Sequence, residues 1–145
     1  MSNTPALRHP LTSSQAEVWL AQTLLGDSSA YNLSDYIEIH GPVDATIFEA
    51  ALRQMLTETL ALGVAFKADA LGVSQQPIEW QSWRLPCLDF SQAENPSVAA
   101  EQWMQQDCNQ PFEQEAGPLF RYALLKISEQ HYFWYQCLPH IAMDG

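Results

Sequence analysis

The last six residues of the chain contain a His-x-x-x-Asp-Gly pattern, at His140, Asp144 and Gly145. An imidazole has an unperturbed pKa of about 6.5, so a histidine at this point can accept or donate a proton near neutral pH. An aromatic strand at 131–138 precedes the pattern and would hold the ring at a sheet edge, while Asp144 and Gly145 would form the turn that fixes it. The pattern therefore predicts a site of proton transfer at His140.

A β-hairpin is predicted directly before this pattern. Residues 119–127 and 131–138 are rich in aromatic and aliphatic side chains, and the tight loop at 128–130 connects them. This hairpin is the element that must position His140.

Three helices are predicted from capping residues and apolar spacing, at 12–26, 44–63 and 95–109. The first begins with a capping box formed by Thr12 and Gln15. The second begins at an aspartate, and the third at an Asn-Pro pair. The predicted buried stripe of the second helix comprises Ile47, Phe48, Ala51, Leu52, Met55, Leu56 and Leu60.

Further strands are predicted at 36–40, with Ile37 and Ile39 directed inward, and at 64–66 and 78–80, with a hairpin loop between these last two. The order of helix, strand, helix, strands, helix and two strands predicts an α+β fold, in which helices cover a mostly antiparallel sheet.

Composition excludes several function classes. The 145 residues suit one domain, and the net charge is −11, from six basic and seventeen acidic residues. Nucleic acids and anionic membrane surfaces are bound by clusters of Lys and Arg, so neither is an expected partner. The chain begins without the pattern of a signal peptide and contains no apolar run near the roughly 20 residues of a membrane span, which predicts a cytoplasmic protein.

Other chemistry-bearing residues are interpreted as structural. The cysteines Cys87, Cys108 and Cys137 are far apart and lack metal-ligand spacing, so they are predicted to be reduced, buried thiols, and no metal site is expected. The remaining histidines are predicted to be surface or turn residues without a partner pattern: His9, His40 and His131. Ser13 and Ser14 are expected in the first helical turn, and Glu113, Glu115 and Glu129 in solvated loops.

Residues 11–20 resemble the opening motif of the condensation domains of nonribosomal peptide synthetases, S-x-A-Q-x-R-L-W-x-L. Gln15 and Trp19 match this motif at the right separation, and Thr12 and Val18 are conservative replacements for its serine and its first leucine.

Two later segments extend the resemblance. The family's second motif, R-H-E-x-L-R-T-x-F, aligns with 58–66, where Leu62 and Phe66 are retained. Its third motif, H-H-x-x-x-D-G, aligns with 139–145. The segments follow the family's order at about its spacing, so the resemblance covers nearly the whole chain.

The resemblance implies a chloramphenicol acetyltransferase-like fold, with 1–10 as a leader, 11–145 as the N-terminal lobe and the second lobe missing. It implies that His140 is the catalytic imidazole, which accepts a proton from an attacking amine or holds the amine in line. Asp144 would make a structural salt bridge, and Gly145 would supply a turn conformation and a candidate oxyanion donor.

The implied function is amide-forming acyl transfer between acyl and aminoacyl thioesters, with closest likeness to the starting condensation domains of siderophore synthetases. No cofactor would be bound directly, because both substrates ride on the phosphopantetheine arms of carrier proteins. The implied partners are an acyl or aryl carrier protein acting in trans as donor, a downstream peptidyl carrier protein and the C-terminal lobe. The isolated chain is expected to be inactive and prone to associate.

Two departures from the family pattern leave alternatives open. Pro139 replaces the first histidine of the third motif, and Gly63 stands where the family has an arginine that pairs with the motif aspartate. Arg121 is a conceivable replacement partner for Asp144. A coenzyme A-dependent acyltransferase of the same superfamily and a non-catalytic carrier-binding domain therefore remain open beside the condensation domain.

Overall fold

The computed structural model describes residues 8–26 and 29–143, so the predicted support residues Asp144 and Gly145 lie outside the described residues. The helices are α1 (Ser13–Leu25), α2 (Ala45–Glu58) and α3 (Pro96–Cys108). The strands are β1 (His9–Pro10), β2 (Asn32–His40), β3 (Val64–Asp69), β4 (Gly72–Pro77), β5 (Cys87–Asp89), β6 (Arg121–Ser128) and β7 (His131–Pro139). None of these helices is both long and apolar enough to cross a membrane.

The three helices begin at the capping residues that the sequence predicts. At α1, Thr12 Oγ1 accepts from the Gln15 N–H at 3.2 Å, and Gln15 Oε1 accepts from the Thr12 N–H at 2.9 Å, which completes the predicted capping box. Asp44 caps α2 and Asn95 caps α3 through their side-chain oxygens. The helix starts are therefore set by local hydrogen bonding.

The main sheet has the strand order β2-β7-β6-β5, in which only the β5–β6 pair is parallel. Helices cover both of its faces. Along β6, Tyr122 and Leu124 pack in the cluster that contains α2, whereas Ala123 and Leu125 pack in the cluster that contains α3. This alternation follows from the two-residue period of a strand, and it confirms the predicted α+β class.

A second, three-stranded sheet has the order β1-β4-β3. The sequence predicts a loop around Gly72 and a strand at 78–80, and both predictions are wrong: β4 pairs with β3 across a two-residue turn at 70–71. The turn is held by Asp69 Oδ1, which accepts from the Leu71 N–H at 2.8 Å, and Gly72 has a φ of 108° that favours glycine. The sequence does not predict this strand because the residues at its centre are polar.

Two of the predicted apolar faces are wrong in part. Ile37 is 47% exposed, because β2 is an edge strand that is only partly covered, and Ile47 at the start of α2 is 69% exposed. Helix α2 also ends at Glu58 rather than at Gly63, and a short 3-10 turn (Leu60–Leu62) follows it. Leu52 and Leu56 form the buried face of α2 as expected, and Phe48 and Met55 beside them are partly buried.

The cysteines are unpaired as predicted, but they are not uniformly buried. Cys137 is buried in β7, Cys108 is partly buried at the end of α3, and Cys87 in β5 is exposed. Burial raises the pKa of the Cys137 thiol, which keeps it protonated.

Candidate active site

His140 lies directly beyond the end of β7, as the first residue of a 3-10 turn (His140–Ala142). Strand β7 is central in the main sheet, and Pro139 is its last residue, paired with Asn32 of β2. Pro139 is buried and has a φ of −74°, which is the natural value for proline. The replacement of a histidine by Pro139 therefore introduces no backbone strain next to His140.

The turn that carries His140 is anchored by its neighbour. Ile141 is only 2% exposed and packs in a small core with Phe66 of β3 and with Leu119. Helix α1 contributes Val18 and Trp19 to the edge of this core. This packing fixes the position of His140 relative to α1 and the second sheet.

His140 lines a cavity of about 200 Å³. The other lining residues are Thr12, Ser14, Gln15, Val18, Ala61, Ile141, Ala142 and Met143. The first four belong to the segment that resembles the family's opening motif, Ala61 to the segment aligned with the second motif, and the last three to the third. Three segments that are distant in sequence therefore meet at His140.

The imidazole is partly buried, and its Nδ1 is fully buried without a hydrogen-bond partner among the described residues. A buried polar atom without a partner is unfavourable by about 1–3 kcal/mol. Such an atom is uncommon in native structures, and a catalytic role is one of its explanations. Three other buried side-chain atoms among the described residues share this state, at Gln22, Asn32 and Trp134. His140 thus combines access to a cavity with hydrogen-bonding capacity that the described residues leave unused.

Gln15 ties the cavity wall to the second sheet. Besides capping α1, its Oε1 accepts from Gln75 Nε2 at 2.9 Å, and the same Gln75 Nε2 donates to the Pro10 carbonyl at 3.1 Å. The N-terminus of α1 is therefore held against β1 and β4, which keeps this side of the cavity in place.

The sequence relates two residues to the ion-pair partner of Asp144, and the structure places Gly63 and Arg121 in different parts of the fold. Gly63 follows the 3-10 turn and lines a separate cavity of about 440 Å³ on the other side of Ala61. Arg121 has a partner of its own: its Nε donates to Asp107 Oδ2 at 2.9 Å, and its Nη2 donates to the carbonyl of Asp107 at 2.7 Å. Arg121 therefore binds the C-terminal end of α3 through Asp107.

Asp107 also joins Tyr135, in the middle of β7, to this network. The Tyr135 hydroxyl donates to Asp107 Oδ2 at 2.9 Å. Burial, above all, together with the neighbouring Cys137 and Asp107, raises the pKa of Tyr135 far above its usual value. The hydroxyl stays protonated and acts as a fixed structural donor.

The structure also brings together residues that the sequence treats as unrelated. His131, at the start of β7, has its Nε2 3.2 Å from Glu38 Oε2, and His40 Nε2 is 3.5 Å from the same oxygen. His40 is a surface residue as predicted, whereas His131 is partly buried; both lie in strands rather than turns, and both have Glu38 as a partner that the sequence pattern does not show. Only the register of β2 against β7, which pairs His40 with His131, would have revealed the cluster.

Other predictions for individual side chains are confirmed. Ser13 and Ser14 lie in the first turn of α1, and Glu113, Glu115 and Glu129 are exposed outside the helices and strands. His9 is exposed, but it lies in β1, where it pairs with Gln75 of β4.

Comparison with known proteins agrees with this geometry. The profile of the condensation-domain family matches residues 7–145. The isonitrile lipopeptide synthase of Streptomyces coeruleorubidus is 40% identical over 142 residues, which is 95% of this chain and 10% of that synthase. The dimodular nonribosomal peptide synthase of Bacillus subtilis (strain 168) is 37% identical over 145 residues, which is 100% of this chain and 6% of the synthase.

Enterobactin synthase component F of Escherichia coli (strain K12) is a more distant relative, 28% identical over 94% of this chain and 11% of its own length. Among solved structures, the starter condensation domain of rhizomide synthetase superposes with a TM-score of 0.90 at 40% identity, over 97% of this chain and 34% of that domain. This chain thus spans about a third of the solved domain and a much smaller share of the curated synthases. It belongs to the condensation-domain family of nonribosomal peptide synthetases and corresponds to the N-terminal portion of that domain.

Proposed function

We propose that this chain supplies the histidine side of an amide-forming active site, in which an acyl group passes from one carrier-bound thioester to the amine of another. One observation carries the proposal: the three motif segments, which are far apart in sequence, line a single cavity around His140. The alternative, a chance match of short motifs, does not account for their meeting in space.

The proposed reaction forms one bond and breaks one. The amine nitrogen of the acceptor attacks the donor's thioester carbonyl, the C–N bond forms, and the C–S bond breaks. The amine loses a proton, and the departing thiolate gains one. His140 is the proposed group that receives this proton and returns it to the leaving sulfur, or that holds the amine in line for attack.

The proposed support for His140 comes from both sides of the turn. Ile141 anchors the turn from within the described residues. Asp144 and Gly145 are proposed to complete it, with Asp144 in a structural ion pair and Gly145 as a candidate oxyanion donor. Because Arg121 is engaged with Asp107, we propose that Asp144 takes a partner other than Arg121.

The proposed partners are carrier proteins that present both substrates on phosphopantetheine arms, with an acyl or aryl carrier protein acting in trans as donor and a peptidyl carrier protein as acceptor. A C-terminal lobe is the proposed opposite wall of the cavity. Exposed apolar side chains on α1 would suit burial against further protein: Leu20, Leu24 and Leu25.

Similarity to known proteins supports two classes of acyl donor, fatty acyl and aryl. One structure of the rhizomide synthetase starter domain is in complex with C8-CoA and Leu-SNAC, which favours a fatty acyl donor. The more distant similarity to enterobactin synthase component F is consistent with the aryl donor and the role in siderophore synthesis that the sequence resemblance implies. The same C8-CoA complex is the observation that favours the second candidate function, acyl transfer directly from coenzyme A.

The test uses the protein that contains this chain together with the rest of a condensation domain. Octanoyl and aryl groups are supplied in parallel, each as a carrier-bound thioester and as the coenzyme A thioester, and the amide product is quantified by mass spectrometry. Preference for the carrier-bound donors supports the condensation reaction, and equal or better use of coenzyme A supports the second candidate.

His140→Ala in the same protein is expected to lower the rate by about 10²–10⁴-fold, the usual contribution of a positioned acid–base group. Gln102→Ala, on the exposed side of α3, is the control and is expected to keep the original rate. Equal product from the His140→Ala protein would overturn the catalytic role. Carrier binding without product from the unsubstituted protein would indicate a non-catalytic binding domain.

A further inference from the structure

A cluster of two histidines and one glutamate lies at the far end of β7 from His140, where β2 and β7 pair. Strand register sets His40 directly opposite His131, and Glu38 is two residues before His40, on the same side of the sheet. The Gly41 N–H donates to the Gln130 carbonyl at 2.9 Å immediately beyond this pair, so both strands are held together at this end. The backbone therefore presents the three side chains as neighbours.

We propose that Glu38, His40 and His131 form a binding site for a Zn²⁺ ion, with one protein ligand atom each. Glu38 Oε2 lies 3.2 Å from His131 Nε2 and 3.5 Å from His40 Nε2, and all three ligand atoms lie within 4.8 Å of one another. A tetrahedral Zn²⁺ with bonds of about 2.0–2.2 Å separates its ligands by about 3.3–3.6 Å. The separations of the two imidazole nitrogens from the carboxylate oxygen match this value, whereas the separation of the two nitrogens from each other is at most 4.8 Å.

Ring packing holds His131 in place, whereas His40 must turn before both imidazoles can bind one ion. The His40 and His131 rings stack at a centroid distance of 4.7 Å and an interplanar angle of 19°, so the in-plane lone pairs of their Nε2 atoms run nearly parallel and do not point at one common ion. The exposed His40 side chain has room to rotate and direct its lone pair at an ion held by Glu38 and His131. On its other side, His131 meets the edge of Phe133 at 5.1 Å, and Phe133 in turn packs on Tyr36 at 4.7 Å. A row of four rings thus leads from the core to the cluster and limits the rotation of His131, whose side chain is only 25% exposed.

The types of ligand atom determine which class of metal ion this site would bind. Two imidazoles and one carboxylate suit Zn²⁺ and neighbouring divalent transition ions, whereas Mg²⁺ and Ca²⁺ prefer oxygen ligands alone. The His40 side chain is 73% exposed and that of Glu38 is 47% exposed, so the fourth coordination position faces solvent and is open to water or to another ligand. An ion pair between Glu38 and a protonated histidine is the competing explanation, and it would bind no metal.

This site is separate from the proposed acyl-transfer centre. His131 and His140 are nine positions apart along β7 and the turn that follows it, a distance of about 30 Å at the rise of a strand. A metal here would link the edge strand β2 to the central strand β7. We therefore expect the metal to stabilise the sheet edge, because an ion that binds only the folded chain raises its stability.

The test is a Zn²⁺ titration of the untagged, chelator-treated chain, measured by competition with a chromophoric chelator. We expect one Zn²⁺ per chain with micromolar affinity, and no competition by MgCl₂. Each of the substitutions His131→Ala, His40→Ala and Glu38→Gln is expected to weaken binding by about tenfold or more, because each removes one of three ligands. His9→Ala, a histidine outside the cluster, is the matched control and is expected to bind as the original chain does.

Two further measurements separate loss of the site from loss of the fold. Circular dichroism should show unchanged spectra for the metal-free variants, and Zn²⁺ should raise the melting temperature of the original chain and of His9→Ala but not of the cluster variants. NMR of the imidazole nitrogens should show Zn²⁺-dependent shifts at Nε2 of His40 and His131. Absence of saturable binding by the folded original chain, or equal binding by folded cluster variants, would overturn the proposal.

Discussion

Strand β7 begins at His131 and is followed directly by His140, and the surroundings of the two rings differ. At the end of the strand, His140 is partly buried beside a cavity, with Nδ1 lacking a partner among the described residues. At the start, His131 stacks on His40 and faces the carboxylate of Glu38 at the exposed sheet edge. In the roles proposed above, the same side chain would exchange a proton at one end and bind a metal ion at the other, because the chemistry of an imidazole depends on its neighbours.

The two ends also differ in what holds them. The His140 end is anchored by a buried aliphatic side chain from the turn itself, Ile141, in a core shared with α1 and the second sheet. The His131 end is held by cross-strand pairing and ring stacking, with Ile37 of the adjoining strand largely open to solvent. We therefore expect packing mutations to damage the first end far more than the second.

The largest effect is expected from Ile141→Ala. The substitution removes a side chain that is 2% exposed and leaves a cavity, so the free energy of unfolding should fall by about 2–5 kcal/mol. The same substitution at Ile37, which is 47% exposed, should change it by no more than about 1 kcal/mol. Urea denaturation followed by circular dichroism measures both. Equal losses would mean that the two ends are anchored alike.

Tyr135→Phe tests how much the hydrogen bond in the middle of β7 contributes to stability. Removing the hydroxyl deletes its hydrogen bond to Asp107, while Asp107 keeps its ion pair with Arg121, so the free energy of unfolding at neutral pH should fall by about 1 kcal/mol. Burial raises the pKa of Tyr135 in the folded chain, whereas the unfolded chain releases this proton near pH 10. The folded state then holds more protons than the unfolded state in alkaline solution.

The stability contributed by Tyr135 is consequently present below about pH 10 and is lost as the pH rises further. Urea denaturation at a series of alkaline pH values should show a steeper decline for the original chain than for Tyr135→Phe. Parallel declines would assign the alkaline loss to other groups, among them Tyr122, whose pKa is also raised by burial.

The smallest effect on folding is expected at the open edge of β2. Leu33 and Ile37 are exposed on this strand, whose outer side has no neighbour among the described strands, so the isolated chain should self-associate. Ile37→Lys should reduce this association, as measured by sedimentation velocity at increasing concentration. Ser34→Lys, which adds the same charge without removing an apolar group, should reduce it less. A monomeric original chain would contradict the expectation.

The sequence predicts well those elements that depend on short-range hydrogen bonds and apolar spacing. The capping box of Thr12 and Gln15 and the cap at Asn95 are confirmed, since each depends on hydrogen bonds within one turn. The hairpin of β6 and β7 is confirmed to within about two residues at its outer ends. Strand β4 was missed because Ser74, Gln75 and Gln76 are polar, and only pairing with β3 and β1 makes them a strand.

The sequence by itself determined the helix starts, the apolar hairpin and the His-x-x-x-Asp-Gly pattern that pointed to the family, because each is expressed in short-range spacing. Only the tertiary structure decided which distant segments line the cavity at His140, that Arg121 pairs with Asp107, and that Glu38, His40 and His131 meet. Those contacts depend on strand order and register, which long-range packing sets and short-range spacing does not encode.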